Sequence, residues 1–315
     1  MSVITPIRKE HMRLLTTSDF DGLACAVLLA EKGIVDEFEF IHPADIEGSV
    51  VDVSRNDIMA NLPYVQECAL WFDHHQHDNE RLRSKGIEVE AISKPAASAA
   101  QVIWEYYGGP EFFSGHLKPL IEAVNISDTA SYTPYEVLNS SGWPLFSFIL
   151  DPRTGLASID DHDAKNYQFM LDLIDFCRLN SVEEILEMRD VKQRVDKYFE
   201  HQKPYKQLIR KNSELIENLI VTSLLDQEII YCGNRFIVYA LYPDQNMDIR
   251  ISRGRDAENV RIACGHSIFN RSCRSNLGKL MLKYGGGGHT MAAGCEVPLG
   301  DWELVVEEVI AATVQ

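Results

Sequence analysis

Short apolar runs and helical stretches take turns along the first part of the chain. HMRLLTT (11–17) has the length and apolar content of a strand, and after SDFDG the segment LACAVLLAEKG is apolar around nearly its whole helical circumference. This pattern predicts strand, loop and buried helix, with Gly33 as the C-terminal cap. FEFIHP predicts a second strand and CALWF (Cys68 to Phe72) a third. Two helices are predicted next: PAASAAQVIWEYYGG, starting at Pro95 and stopped by two glycines, and HLKPLIEAVNI, ending just before Asp128. Strands alternating with helices predict a parallel sheet covered on both faces.

From about Asp151 to Asn218 the texture changes to charged segments of helical periodicity, including YKQLIRKNSELIENL, which predict a helical layer and connector. Beyond them IIYCGNRFIVYALYP, NVRIACGHSIFN and AAGCEVPL predict strands, SNLGKLMLKY a helix, and DWELVVEEVIAATV a final helix capped by Asp301. The expected fold class is α/β: a parallel-sheet N-terminal domain with helices on both faces, a helical connector, and a smaller α+β C-terminal domain. The expected division is 1–205 and 206–315. There is no internal repeat and no low-complexity segment.

A chain of 315 residues, 45% hydrophobic, is long enough for two such domains, each burying its own core. Its seven cysteines are scattered without a CxxC pair, which predicts reduced thiols rather than a disulfide framework or a zinc ribbon. No stretch approaches the roughly 18–20 apolar residues that cross a bilayer, and the start MSVITPIRKEHMRLL has no apolar leader region. A cytoplasmic location without membrane contact is expected. The formal charge of −17 repels polyanions and argues against long duplex nucleic acid as a partner. An anionic ligand would need a local basic pocket or bound cations.

WFDHHQHDNE, beginning at Trp71, places Asp73, His74 and His75 directly after an apolar run, and Asp19 and Asp21 follow the first expected strand. In open α/β sheets ligands bind beyond the carboxyl ends of the strands, so both clusters are expected to face one crevice. Crowded carboxylates without lysine or arginine beside them repel one another unless cations neutralise them. Oxygen donors mixed with imidazole suit manganese or magnesium better than a closed structural zinc site. Two such ions about 3.5–4 Å apart can share a carboxylate and clamp a phosphoryl group. The bland alternative makes Asp19 and Asp21 helix caps and the histidines a solvated loop. His77 and Asp78 read as surface residues, with His77 as a second-layer option.

KYGGGGHTMAAG contains four consecutive glycines, Gly285, Gly286, Gly287 and Gly288, followed by His289, where a helix cap needs only one. Such a run lets consecutive N–H groups curl around an anion, although a flexible turn is the alternative. It is neither a Walker A loop nor a Rossmann fingerprint. Arg271 and Arg274 lie upstream and suit phosphate; Arg253 and Arg255 are weaker candidates.

Together these motifs resemble the DHH/DHHA1 phosphoesterase superfamily, which includes RecJ-type exonucleases, oligoribonucleases, cyclic-dinucleotide phosphodiesterases and exopolyphosphatase-like proteins. SDFDG resembles its motif I, FDHH motif III, NISDT motif IV, and YGGGGH the DHHA1 signature. The resemblance implies that Asp19, Asp21, Asp73 and Asp128 are metal ligands, with His74 at the metal centre and His75 a ligand or a support for the leaving oxygen. It also implies a motif II aspartate between the first and third strands, for which Asp57 is chosen and Asp52 is the alternative. Several branches carry a histidine four residues before the first motif I aspartate; here that position is Leu15, which leaves one metal with fewer protein ligands.

The resemblance is nearest to the exopolyphosphatase-like branch and implies a phosphohydrolase with two Mn2+ or Mg2+ ions, cleaving phosphoanhydride or phosphodiester bonds of short polyanions. Asp73, His74 and His75 are the expected catalytic group. Arg271, Arg274, Gly285 to Gly288 and His289 are expected to hold the substrate, cleavage requiring closure of the two domains. An oligonucleotide or cyclic dinucleotide is the alternative substrate. It would want an aromatic platform, for which Tyr284 and Phe269 are candidates better read as core. A non-catalytic nucleotide or phosphate sensor is a further alternative, and a homodimer is left open.

Overall fold

The computed structural model describes residues 11–75, 92–93, 95–156, 163–254, 256 and 258–314. His77, Asp78 and Arg255 lie outside them. The chain divides into two units, one of Met1–Ser131, Ser141–Pro152 and Leu156–Val195, the other of Tyr132–Ser140, Arg153–Gly155 and Asp196–Gln315.

The first unit is built on an all-parallel sheet of β1 (Arg13–Thr16), β2 (Glu37–Phe40), β3 (Asp57–Ala60), β4 (Leu70–Asp73) and β5 (Ile92–Ser93), in the order β2-β1-β3-β4-β5. The buried helix expected after β1 is α1 (Phe20–Glu31), with every residue from Phe20 to Leu29 buried. Gly33 follows its cap in the left-handed region at φ 59°, the conformation glycine adopts without Cβ strain. The other face of the sheet buries Leu15, Met59, Leu62 and Trp71 with Ile46 from α2 (Pro43–Glu47). Helices therefore cover both faces, as the alternation predicts.

Three details of this unit differ from the sequence expectation. DIMA forms β3, so CALWF supplies the fourth strand along the chain, shifted to Leu70–Asp73. A four-residue strand without flanking glycine or proline gives little periodic signal. The next helix, α3 (Ala99–Tyr106), starts four residues later than Pro95, because the Ser98 hydroxyl accepts from Gln101 N at 3.0 Å and fixes the N-cap there. After it, α4 (Lys118–Asp128) includes Asp128 as its last residue instead of stopping before it. Beyond these, two helices were not anticipated, α5 (Pro134–Leu138) in the second unit and α6 (Gly142–Leu150) in the first.

The helical layer consists of α7 (Asp163–Leu179), α8 (Val182–Glu187) and α9 (Arg189–Asn212), and the division between the units falls within α9. The expected division after residue 205 falls in the same helix. Residues 213–219, expected as helix, instead enter a hairpin of β6 (Ser213–Ile216) and β7 (Leu219–Ser223), turned at Glu217 with φ 51°. The run IIYCGNRFIVYALYP is not a strand: it contains α10 (Ile237–Leu241), entered where Asn234 Oδ1 accepts from Phe236 N. Continuous apolar runs do not distinguish buried strand from buried helix.

The strand of that region is β8 (Met247–Arg253). With β9 (Asn259–His266), β10 (Gly287–Gly288) and β11 (Ala292–Pro298) it completes a mixed sheet in the order β10-β11-β9-β8-β7-β6, in which only β7 and β8 pair in parallel. Met247, Ile249 and Ile251 alternate onto one face and pack with Leu277, Leu280 and Met281 of α11 (Leu277–Met281) and Val305, Val306 and Val309 of α12 (Trp302–Thr313). Asp301 occupies the N-cap position of α12, but its side chain makes no capping bond. All seven cysteines are buried and unpaired in disulfides. No described helix is long and apolar enough to cross a membrane.

Candidate functional site

In a sheet of order 2-1-3-4-5 the chain reverses direction of travel between β1 and β3, and the crevice lies beyond their carboxyl ends. Thr16 is opposite Ala60, and Ala60 is opposite Phe72, so Thr17, Asn61 and Asp73 form the next tier along that edge. Asp19 is the N-cap of α1: its Oδ1 accepts from Gly22 N and from the Thr17 hydroxyl, both at 2.9 Å. Gly22 is required by space, since a Cβ there would lie 1.9 Å from the Thr17 carbonyl oxygen. The expected capping role of Asp19 is thus real. Asp21 has a different one.

Asp21 is 3% exposed, and its two carboxylate oxygens accept from the N–H groups of Ala99 and Ala100, at 2.8 and 2.9 Å. The start of α3 therefore holds the carboxylate through two orphan donors of its first turn. Burial, followed by the nearby carboxylates of Asp128 and Asp19, drives its pKa well above the ordinary carboxylate range, against the pull of the two N–H groups. His74 Nε2 lies 3.1 Å from Asp128 Oδ2 and 3.8 Å from Asp21 Oδ2. Its Nδ1 faces the Ala96 carbonyl at 3.4 Å, and since a carbonyl only accepts, this contact favours the proton on Nδ1 and leaves Nε2 to the carboxylates. The ligand atoms of Asp21, His74 and Asp128 all lie within 4.8 Å of one another. Two carboxylate oxygens and an imidazole nitrogen so close have the spacing and donor chemistry of a divalent-cation site.

Asp73, fully buried at the end of β4, turns both oxygens to the next residue but one: Oδ1 to His75 Nδ1 at 2.9 Å and Oδ2 to His75 N at 3.1 Å. Cys25, beneath Asp21, has its thiol pKa pushed well up by burial, then by Asp21, Asp19, Asp128 and Asp73. Four of the expected carboxylates thus act on one buried sulfur. The convergence of the two motif clusters is present in the fold.

Asp57 is the exception and corrects the sequence assignment. It begins β3, opposite Arg13 at the amino edge of the sheet, away from the crevice. Its carboxylate receives Arg13 Nε at 2.7 Å and Nη2 at 3.1 Å, with Ser54 N and Oγ at 2.6 and 2.9 Å. Burial would raise its pKa, but Arg13 and Ser54 hold it below the ordinary range. It is a structural ion pair. Asp52, the alternative, gives only its backbone carbonyl, to Arg13 Nη2. At the carboxyl end of β3 stands Asn61, whose Nδ2 donates to Thr17 Oγ1 at 2.9 Å. Position 15 is closed to the crevice, because Leu15 is fully buried in the apolar cluster with Met59 and Trp71.

Sequence reasoning also missed Ser98 and Asn125. The Ser98 hydroxyl donates to Asn125 Oδ1 at 2.7 Å, and Asn125 Nδ2 donates to Gln101 Oε1 at 2.9 Å, which ties α4, and with it Asp128, to the start of α3. The only signal was a serine before AAQV and an asparagine one helical turn before Asp128.

The glycine run does not present an uninterrupted row of N–H donors. Gly285 N and Gly286 N bond to Leu282 and Met281 carbonyls, His289 N bonds to the Ala292 carbonyl, and Gly287 and Gly288 pair with β11 as β10. Two of the glycines serve close approach: a Cβ on Gly286 would lie 2.2 Å from Gly294 O, and one on Gly288 2.5 Å from Ala292 O. Arg271 and Arg274 are exposed, and Arg271 Nε donates to the Ile268 carbonyl. Tyr284 packs against the core and bonds Glu308, as the core reading anticipated.

No protein-family profile and no curated protein matches the sequence. Among solved structures, the chain is 43% identical to the pGpG-specific phosphodiesterase PggH from Vibrio cholerae, with a TM-score of 0.83, covering 95% of this chain and 98% of that one. An uncharacterized protein from Helicobacter pylori G27, 13% identical with a TM-score of 0.28, differs too much in backbone to bear on function. The chain is a phosphoesterase, a hydrolase of phosphorus-containing bonds, and the sensor alternative is set aside. It belongs to the family of the phosphodiesterase PggH.

Proposed function

We propose that this protein is a DHH/DHHA1-type phosphodiesterase that hydrolyses the internal phosphodiester of short linear dinucleotides of the pGpG kind, using Mn2+ or Mg2+. The observation that carries the reading is the Asp21–His74–Asp128 trio, with Asp21 buried and Asp128 open to solvent, in a chain 43% identical, over nearly its full length, to an enzyme named for that substrate. This favours the nucleotide alternative over the exopolyphosphatase-like one. Asp21, His74 and Asp128 would hold the cation, which when bound would supply positive charge to offset the carboxylates and to stabilise a phosphoryl oxygen.

The chain's own residues do the rest. The N–H groups of Ala99 and Ala100 fix Asp21, and the Ala96 carbonyl fixes the His74 ring, so neither ligand has to be ordered when substrate arrives. Asp73 orients the His75 ring through Nδ1, and the doubly protonated ring is the acid that would give a proton to the leaving ribose oxygen and be left neutral. Arg271, Arg274 and His289, the cationic and hydrogen-bonding groups the family resemblance points to, suit an anionic ligand against the overall charge of −17.

Incubation with Mn2+ and, separately, pGpG, its cyclic counterpart and a short polyphosphate tests this, with products separated by anion exchange. Mononucleotide from the linear dinucleotide is expected as the fastest reaction. Orthophosphate released from polyphosphate at an equal or higher rate would overturn the assignment.

A further inference from the structure

The apolar core of the second unit lies on one face of its sheet. Alternation along β8 therefore sends Asp248 and Arg250 to the other face, between Met247, Ile249 and Ile251. Opposite them on β9 stand Gly265 and Ala263, and beyond these on β11 Ala292 and Gly294. None of these four is buried, so this part of the face is a partly exposed floor of small residues. Asp248 leans over it: a Cβ on Gly265 would lie 3.0 Å from Asp248 Oδ1 and 2.6 Å from the Tyr239 hydroxyl. That hydroxyl donates to Oδ1 and fixes the carboxylate, while no other described residue donates to Oδ2, although Asp248 is only 7% exposed. Arg250, the next residue on this face, lies beside Tyr205 and Asp248, and its buried Nε has no acceptor among the described residues. A carboxylate oxygen and a guanidinium N–H, both largely withdrawn from water and both unpaired, are costly in a folded chain unless a ligand completes them.

Resting on the dinucleotide reading above, we propose that Asp248 and Arg250 form a guanine-reading subsite in the second unit, with the base flat on the Gly265–Ala263 floor and its Watson–Crick edge turned to β8. Guanine presents one acceptor, O6, beside two donors, N1–H and the N2 amino group. An ionised Asp248 only accepts and Arg250 only donates, and two residues along one strand set their backbones about 6.6–6.8 Å apart. The order matches: O6 takes the Arg250 N–H, while N1–H and the amino group go to Asp248. Adenine reverses it, setting its amino group against the guanidinium and its bare N1 against the carboxylate. Gly265 and Ala263 leave the space above β9 that a flat ring needs, and Tyr239 holds Asp248 ready beside it.

Full-length protein with Mn2+ is assayed on pGpG and on pApA, and kcat/KM is compared for wild type, Asp248→Asn and Arg250→Met, each checked for a cooperative melt. Wild type should prefer the guanine dinucleotide by more than about 100-fold, since a site built to hydrogen-bond a polar edge rejects analogues that lack it. Asp248→Asn keeps an oxygen for Tyr239 but turns an amino group towards N1–H, and should lower that preference at least about tenfold. Arg250→Met keeps the apolar stem, removes an unpaired buried donor and so leaves the fold intact; it should lower the preference by a similar factor and decides the matter if Asp248→Asn does not fold. A folded variant that is slower on both dinucleotides at an unchanged ratio would make the pair structural and overturn the proposal. A wild type that cleaves both equally would overturn it too, with the phosphodiesterase reading intact, whereas cleavage of neither would overturn that reading as well.

Discussion

At the scale of single residues, Asp57 shows how a motif-like aspartate becomes a structural one. It and Arg13 begin neighbouring strands in register, and Asp57 is buried while the Arg13 side chain is 25% exposed and also meets Glu39 at 2.8 Å. Asp57→Asn should destabilise the protein by about 3 kcal/mol at neutral pH, the low end for breaking a buried pair, because Arg13 retains water and Glu39. The folded-state pKa of Asp57 is lowered, so its contribution is present above the unfolded value near pH 4 and is lost as pH falls through the folded value. Urea midpoints of wild type and variant should accordingly converge below about pH 4; a gap that stays constant down to pH 2.5 contradicts the ion-pair assignment. Asp21 and His74 were singled out because each lies in a polar cluster just after an expected strand, and Asp128 because NISDT resembles the family's motif IV. Asp57 was misread because a single carboxylate in a short strand does not reveal at which end of the sheet it lies, and register is set by tertiary pairing.

At the scale of elements, the site depends on the start of α3. Ser98 caps that helix, whose first N–H groups hold Asp21, and its hydroxyl also fixes Asn125 one turn before Asp128. Ser98→Ala should cost about 1–2 kcal/mol as a lost N-cap and weaken metal binding about 10–100-fold, by releasing two ligands from their supports. Calorimetric Mn2+ titration with a thermal melt measures both; unchanged affinity in a destabilised variant would mean the cap acts on folding alone. Sequence patterning found α1 and β4 because burial on all sides and a following polar cluster mark them. It missed the β6–β7 hairpin because SELIENL carries apolar residues compatible with either period, and the left-handed Glu217 that turns the chain has no glycine to announce it. Within the glycine run, Gly286 and Gly288 leave no room for a Cβ beside β11, a steric requirement that only the paired strands disclose.

At the scale of the whole molecule, alternation of strand and helix followed by a mixed domain was enough to give the fold class, and the order 2-1-3-4-5 explains why the motif residues meet: the residues after β1 and β4 and at the end of α4 reach one edge of one sheet. The negative charge of the chain makes a bound cation the economical way to receive an anionic substrate there. The central claim is that the Asp21–His74–Asp128 trio is the cation site of a dinucleotide phosphodiesterase. Asp128 is exposed at the end of its helix, so Asp128→Asn tests the site with little risk to the fold. The decisive measurement is the Mn2+-dependent rate of mononucleotide release from pGpG by wild type and Asp128→Asn, with both melting cooperatively. Wild type should turn over only with the metal, and the variant should be slower by on the order of a thousandfold; a variant that keeps the wild-type rate, or a wild type indifferent to Mn2+ and Mg2+, contradicts it.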